Sequence, residues 1–324
     1  MEQMTGSGQK PLIILTGPTA VGKTELSIRL AKQVNGAVIS ADSMQVYRHM
    51  DIGSAKITTE QMQGVRHYLI DELMPDEAFN VVRFQQYAKK YMQEIYQNGQ
   101  IPILAGGTGF YIQAVLYDID FSAQDADDDY RMELEALAGE KGVRYLHTML
   151  AQVDPVSAQT IHFNNKKRVI RALEFFRLTG TRISEHNKKE HEKKSPYRAA
   201  YFVLNDRREH LYERIDRRTD EMMANGLVEE VRTLINMGYT KELVSMQGLG
   251  YKELFPYFDN TCTLEEATEI IKRDTRHFAK RQLTWFRREK DVIWVNKDKF
   301  SYDNDKILSY MNAILREKGI LNQT

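Results

Sequence analysis

Eight residues near the N-terminus have the types and the spacing of a phosphate-binding loop. They fit the pattern Gly, any four residues, Gly, Lys, and then Ser or Thr. An apolar run at 12–15 precedes them and a helix-like stretch at 25–31 follows, which is the strand–loop–helix context that such a loop requires. The eight residues are Gly17, Pro18, Thr19, Ala20, Val21, Gly22, Lys23 and Thr24.

The chemistry of this loop would come from its backbone and two side chains. Successive N–H groups turn inward, and the N-terminus of the following helix adds a partial positive charge. Lys23 would reach the terminal phosphate, and the Thr24 hydroxyl would ligate Mg²⁺. A plain glycine turn is the alternative, but pattern and context together favour a phosphate or pyrophosphate site.

Polar residues also follow two other predicted strands, where each strand ends. Asp42 and Ser43 come just after a short apolar run at 37–40, and Gly-Gly-Thr-Gly at 106–109 follows the run at 101–105. Ligands of open α/β sheets bind outside the carboxyl ends of the strands, so Asp42 and Thr108 are expected near the loop phosphates. The alternatives are that Asp42 caps the next turn and that the glycines form only a tight turn.

A third predicted strand, at 65–71, ends in Asp71. In an ATPase this carboxylate would be the Walker B acid that assists Mg²⁺. The sequence therefore leaves open a P-loop kinase or NTPase that uses Asp71.

The elements that must position these residues read as an α/β core with an insertion. Further strands are predicted at 199–204 and 292–295, with helices at 81–96, 207–224, 263–290 and 303–317. A charge-rich region at 122–196 has helical character and no strand pattern. We therefore predict a P-loop NTPase-like core, 1–121 with 197–324, in which helices flank a mostly parallel sheet, and an all-helical insertion at 122–196.

Composition limits the function classes. The chain has 324 residues, 45 basic against 45 acidic, and one cysteine. Balanced charge implies no global attraction to nucleic acid, and a single cysteine excludes an internal disulfide or a thiolate cluster. The polar N-terminus lacks the apolar core of a signal peptide, and no apolar run is long enough to span a membrane. We expect a cytoplasmic protein.

Two local basic clusters interrupt this balance. Lys166, Lys167 and Arg168 lie together in the insertion, and the helix at 263–290 carries Arg273, Arg276, Lys280 and Arg287 on one face. Trp285 and Phe286 lie beside that face, and basic ridges with aromatic neighbours suit a nucleic-acid backbone. The alternative is that each cluster is only a solvated helix face.

With these segments in order, the sequence resembles the tRNA dimethylallyltransferases over nearly its whole length. No Cys/His cluster follows the last strand, which points to the bacterial type without a zinc finger. Beyond the loop at 17–24, the resemblance rests on the segments at 40–47, 50–56, 106–111, 165–174, 248–252 and 275–286, and on Arg214-Ile215 with Arg218.

The resemblance implies a reaction and roles for the residues. The family moves a dimethylallyl group from dimethylallyl diphosphate to the N6 amine of the adenosine 3′-adjacent to the anticodon in tRNA. Asp42 would be the general base, Lys23 and Arg218 would clamp the diphosphate, and Thr108 would orient the reacting groups. Mg²⁺ at Thr24 would be the cofactor.

The resemblance also implies where tRNA binds. The anticodon stem-loop would enter a channel through the core at one end and the prenyl donor at the other, and the target adenine would leave its stack. We expect a monomer, with ATP at most a weak competitor at the loop. The residues expected to contact tRNA are Asp42, Ser43, Met44, Gln45, Thr108, Lys166, Lys167, Arg168, Gln247, Gly248, Leu249, Gly250, Tyr251, Lys252, Arg276 and Lys280.

Three other function classes stay open from the sequence. A P-loop NTPase would show nucleotide turnover, and a prenyltransferase that acts on free adenine nucleotide would not need the two basic clusters. A non-catalytic tRNA-binding module is hard to reconcile with the phosphate loop.

Overall fold

The computed structural model describes residues 8–121 and 128–322, which form two compact units. Unit 1 comprises 1–116 with 196–324, and unit 2 comprises 117–195. From the sequence we predicted that the inserted domain spans residues 122–196, and residue 122 lies outside the described ranges. That placement stays a prediction.

Unit 1 is built on a six-stranded sheet in which every neighbouring pair is parallel, in the order β3-β2-β4-β1-β5-β6. The central strand β1 has five consecutive buried residues, because an interior parallel strand is covered on both faces. The predicted α/β class with a mostly parallel sheet is confirmed. The strands are β1 (Lys10–Thr16), β2 (Gly36–Ser40), β3 (His67–Tyr68), β4 (Ile101–Gly106), β5 (Tyr197–Asn205) and β6 (Val292–Asn296).

Helices flank this sheet, with α1 and α3 packed against β2 and β4, and α14 against β5. The long helix α13 begins at a capping box formed by Thr263 and Glu266, and Asn80 caps α3. The helices of unit 1 are α1 (Lys23–Val34), α2 (Thr59–Met62), α3 (Val81–Gln97), α4 (Gly109–Leu116), α10 (Arg208–Ala224), α11 (Leu227–Asn236), α12 (Phe255–Phe258), α13 (Leu264–Phe286) and α14 (Asn304–Glu317).

In the described part of unit 2, the regular secondary structure is helical. Leu146, Leu150 and Val169 are fully buried in its apolar core. The buried carboxylate of Asp154 caps α7 and accepts hydrogen bonds from Ser157 and Ser184, which ties α9 to α7. The helices are α5 (Asp128–Lys141), α6 (Val143–Val153), α7 (Pro155–Thr160), α8 (Lys166–Thr179) and α9 (Ile183–Glu192).

The structure corrects one predicted strand. The strand expected at 65–71 is only two residues long, because Leu69 and Asp71 have φ of 61° and 55°, which end an extended strand. None of the helices in the described ranges is long and apolar enough to cross a membrane.

Candidate active site

The loop at 17–24 connects β1 to α1 and has two glycines that no other residue would replace easily. Gly17 has φ of 147°, and a Cβ there would lie 2.5 Å from the Leu204 carbonyl oxygen of β5. Gly22 has φ of 96° and precedes the first turn of α1, in which Lys23 and Thr24 stand. The loop therefore lies against the sheet and presents Lys23 and Thr24 at a helix N-terminus.

The Lys23 ammonium is folded back onto its own loop. Its Nζ donates hydrogen bonds to the carbonyl oxygens of Gly17 at 3.0 Å and Pro18 at 2.9 Å. Burial lowers the pKa of Lys23 to about 7, which the negative charge of Asp42 opposes and the positive charge of Arg218 reinforces. These couplings bring three predicted site residues, from three different elements, into one electrostatic cluster.

Asp42 borders two cavities. A small cavity of about 60 Å³ is lined also by Lys23 and Thr24, and a larger one of about 450 Å³ is lined also by Thr108 and Arg218. The Asp42 carboxylate accepts a hydrogen bond from the Met44 N–H at 2.8 Å, which orients it. The predicted catalytic residues thus meet at the carboxyl ends of β1, β2 and β4.

Oxygen donors suited to Mg²⁺ are present at the small cavity. Thr24 and Asp42 both line it, and among residues 8–121 and 128–322 no three His, Cys, Asp or Glu side chains form a larger ligand set. Mg²⁺ keeps several waters and takes one or two protein oxygens beside substrate phosphates, so this donor set fits the ion. The Mg²⁺ site at Thr24 stays a prediction.

Several residues expected to contact tRNA line the large cavity. Gln45 instead lines the small cavity, where its amide oxygen accepts a hydrogen bond from the Ser40 hydroxyl at 3.0 Å. The residues at the large cavity are Asp42, Ser43, Met44, Thr108, Gln247, Gly248, Leu249, Gly250 and Lys252.

The prediction that the Tyr251 side chain contacts tRNA is wrong. Its side chain is fully buried, and its hydroxyl donates a hydrogen bond to Glu230 at 2.7 Å. A buried ring held in this way anchors the segment and has no surface to offer tRNA. Met246 and Leu254, which flank the segment at 247–252, are buried as well.

The basic residues of α13 differ in their surroundings: some form ion pairs, some are exposed, and one lines the large cavity. Arg276 pairs with Asp216, Arg273 pairs with Asp274, and Lys280 is exposed. The α13 cation that lines the large cavity is Arg281, which the sequence analysis did not single out.

The basic cluster of unit 2 occupies the first turn of α8. Lys166 pairs with Glu135 of α5, whereas Lys167 and Arg168 are exposed. Contact of this cluster with tRNA stays a prediction.

Asp71 lies at neither cavity. Its carboxylate pairs at 2.5 Å with Lys56, whose ammonium is also bound to Asp51 and to the Tyr47 carbonyl. The strand beside β1 on this side is β4, and it ends in glycines followed by Thr108. The Walker B interpretation of Asp71 is therefore wrong.

Two features of the site were missed from the sequence. Gln282 of α13 is buried; its side chain accepts the Thr19 N–H at 2.8 Å and donates to the Gly107 carbonyl at 2.9 Å, which joins the two glycine-rich loops. Lys297 donates to the Val21 carbonyl at 3.3 Å and, with Arg214, lies against Gly22. These contacts join segments far apart in the chain and carry no local sequence signal.

A family model described as IPP transferase matches residues 45–289. The chain belongs to the IPP transferase family. A tRNA dimethylallyltransferase of Lachnoclostridium phytofermentans is 61% identical over 312 residues, which are 96% of this chain and 99% of that protein. A protein of the same name from Clostridioides difficile is 53% identical over 290 residues, 90% of this chain and 93% of that one.

Solved structures extend this IPP transferase relationship. The tRNA isopentenylpyrophosphate transferase of Bacillus halodurans superposes with a TM-score of 0.72 at 45% identity, covering 96% of this chain and 98% of that one. A eukaryotic dimethylallyltransferase acting on tRNA superposes with a TM-score of 0.79 at 29% identity, covering 89% of this chain and 74% of that one. The resemblance inferred from the sequence is confirmed.

Proposed function

We propose that this chain transfers a dimethylallyl group from dimethylallyl diphosphate to the N6 amine of the adenosine 3′-adjacent to the anticodon in tRNA, and releases diphosphate. The observation that carries the proposal is the position of Asp42, which borders both cavities between Lys23 and Arg218. The names of the relatives, which describe transferases of this group acting on tRNA, support the same reaction.

The phosphate loop would serve a leaving group rather than a phosphoryl transfer. Cleavage of the allylic C–O bond places negative charge on the diphosphate, and the loop N–H groups with Lys23 would stabilise it. Lys23 would exchange its bonds to the Gly17 and Pro18 carbonyls for bonds to phosphate oxygens. Mg²⁺ bound at Thr24 would neutralise part of the diphosphate charge.

The acceptor would enter through the large cavity. Asp42 would take a proton from the attacking amine, and Thr108 would orient the base. Arg218 is buried, which lowers its pKa, while Asp42 opposes that shift; the two charges would hold each other in place until the diphosphate arrives. We propose that Ser43, Met44 and the segment at 247–250 surround the flipped adenine.

The same proposal covers the setting of the enzyme. We infer a monomer that works in the cytoplasm, where its tRNA substrate occurs. Lys167 and Arg168 of unit 2 and Arg276, Lys280 and Arg281 of α13 would contact tRNA phosphates, which position the RNA without reading its sequence.

One assay distinguishes this function from its rivals. Labelled dimethylallyl diphosphate is incubated with tRNA, AMP or ATP, and the acceptor that gains label is identified. We expect label in tRNA alone and no ATP hydrolysis. Label in AMP or ATP would indicate an enzyme of free nucleotides, and tRNA-stimulated ATP hydrolysis would indicate an NTPase.

A further inference from the structure

The carboxylate of Glu230, on α11, joins two segments that are distant in the chain. Its Oε2 accepts the backbone N–H groups of Asp51 at 2.9 Å and Ile52 at 2.7 Å. Its Oε1 accepts the N–H of Gly53 at 3.0 Å and the hydroxyl of Tyr251 at 2.7 Å. Four donors therefore converge on one side chain.

Both segments border the large cavity, although Glu230 does not. Gly53 and Ser54 line it from one segment, and Gly248, Leu249 and Gly250 line it from the other. The two segments are in contact: a Cβ on Gly53 would lie 2.6 Å from the Tyr251 ring, and one on Gly250 would lie 3.8 Å from the Gly53 Cα. The two segments thus form a continuous part of the cavity wall, and Glu230 holds them together behind it.

Only an ionised carboxylate satisfies all four donors. Three successive N–H groups form a concave cradle for an anion, and hydrogen bonds to a charged acceptor are the strong ones. Burial, reinforced by Glu230, raises the pKa of Tyr251 well above its ordinary value, so its hydroxyl remains a donor. A glutamine would turn an NH₂ group toward two of the donors, and an aspartate would be one methylene too short.

We propose that Glu230 is a positioning residue for the acceptor nucleoside, because it holds together two touching segments that form part of the wall of the cavity that the flipped adenosine of tRNA must enter. This inference rests on the proposed function and assigns a role to a residue that does not touch substrate. It predicts that losing the carboxylate impairs use of tRNA and spares the diphosphate site, which is built from other elements.

The test compares Glu230→Gln with Glu229→Gln, a matched change on the next residue, whose side chain is 71% exposed. We expect Glu230→Gln to raise the KM for tRNA roughly tenfold to a hundredfold, the equivalent of one or two lost charge-assisted hydrogen bonds. Its Kd for pyrophosphate should stay within about twofold of the wild type, and Glu229→Gln should leave both quantities unchanged.

Two results would overturn the inference: an unchanged KM for tRNA, or equal losses in tRNA use and pyrophosphate binding, which would mean a general effect on folding. If Glu230→Gln does not fold, Tyr251→Phe decides, since it removes one hydrogen bond and keeps the ring. It should raise the KM for tRNA about threefold to tenfold, and no change would overturn the inference. Absence of transfer by the wild-type chain would instead contradict the proposed function.

Discussion

Asp42 stands where two substrates that enter from different sides would meet. The Met44 N–H orients its carboxylate, and the charges of Lys23 and Arg218 both act on it. Arg218 lines the large cavity and Lys23 lines the small one, so Asp42 has a cation beside it at each cavity. In the proposed reaction, proton transfer and stabilisation of the leaving group would therefore be carried out by neighbouring side chains.

Replacing Asp42 should slow chemistry without much loss of binding. We expect Asp42→Asn to lower the single-turnover rate of prenyl transfer by roughly 10²–10⁴, the usual contribution of a general base. Asp71→Asn is the control, because Asp71 pairs with Lys56 away from both cavities. A rate for Asp42→Asn within threefold of the wild type would refute the base assignment.

The depressed pKa of Lys23 should make the proposed diphosphate binding depend on pH. The group is charged below its pKa of about 7, so binding above pH 7 requires uptake of a proton. The affinity of the wild type for pyrophosphate, divided by that of Lys23→Ala, should therefore fall from pH 7 to pH 9, by up to about tenfold per pH unit. Because the titration of pyrophosphate affects both proteins equally, it cancels in this quotient. The two affinities are measured by calorimetry at several pH values.

The control for this experiment is Lys32→Ala, on the last turn of the same helix, where the lysine bonds to Gln63. The affinity of the wild type divided by that of Lys32→Ala should not change with pH. If the affinity of the wild type divided by that of Lys23→Ala were also independent of pH, Lys23 would not be the group that binds the diphosphate in its charged form.

At the scale of elements, α13 serves two purposes. Gln282 forms hydrogen bonds with both glycine-rich loops. Arg281 lines the large cavity, and the side chain of Lys280 is exposed. One helix would thus support both the proposed diphosphate site and the proposed entrance for the acceptor. A change on its outer face should affect RNA binding alone.

Neutralising the exposed Lys280 together with Arg276, which pairs with Asp216 of α10, tests whether these charges contact RNA. We expect the double Gln variant to weaken all tRNAs alike and to shallow the slope of log affinity against log salt by about one unit per lost phosphate contact. Lys306→Gln on α14 makes a similar charge change at a side chain that is 66% exposed, and it should leave the slope unchanged. A wild-type slope in the double variant would show that this face is only solvated.

Local patterns predicted the elements that have local causes. The predicted apolar runs correspond to β1, β2, β4, β5 and β6. The loop at 17–24 could be recognised because its motif occupies consecutive residues. The helices α4 and α11 were not foreseen, and the strand at 65–71 was overestimated because the left-handed residues that end it have no strong signal. Tyr251, Gln282 and Glu230 acquire their roles from partners in distant segments, which no local pattern encodes.

At the scale of the whole molecule, unit 2 has what an independent domain needs. It has its own apolar core and the hydrogen-bond network of the buried Asp154. It also has a bidentate salt bridge in which two guanidinium nitrogens of Arg131 each lie 2.7 Å from a carboxylate oxygen of Glu174. We expect the isolated fragment 117–195 to be helical and to melt cooperatively in circular dichroism. Leu150→Ala should lower its stability by about 2–5 kcal/mol.

A matched surface change, Thr148→Ala, should have little effect on that melt, since its side chain is exposed on the same helix. A fragment without a cooperative transition would show that unit 2 depends on the rest of the chain for its structure.

The order of the strands also has a consequence for synthesis on the ribosome. β1 pairs with β4 on one side and with β5 on the other, and β5 then pairs with β6 near the C-terminus. A nascent chain that ends within unit 2 therefore leaves one edge of its central strand open, and Gly17 lacks the Leu204 carbonyl that it packs against. Unpaired edges of this kind invite aggregation, and pairing between distant strands is slow. The phosphate loop is consequently among the first segments to be synthesised and among the last to reach its final shape.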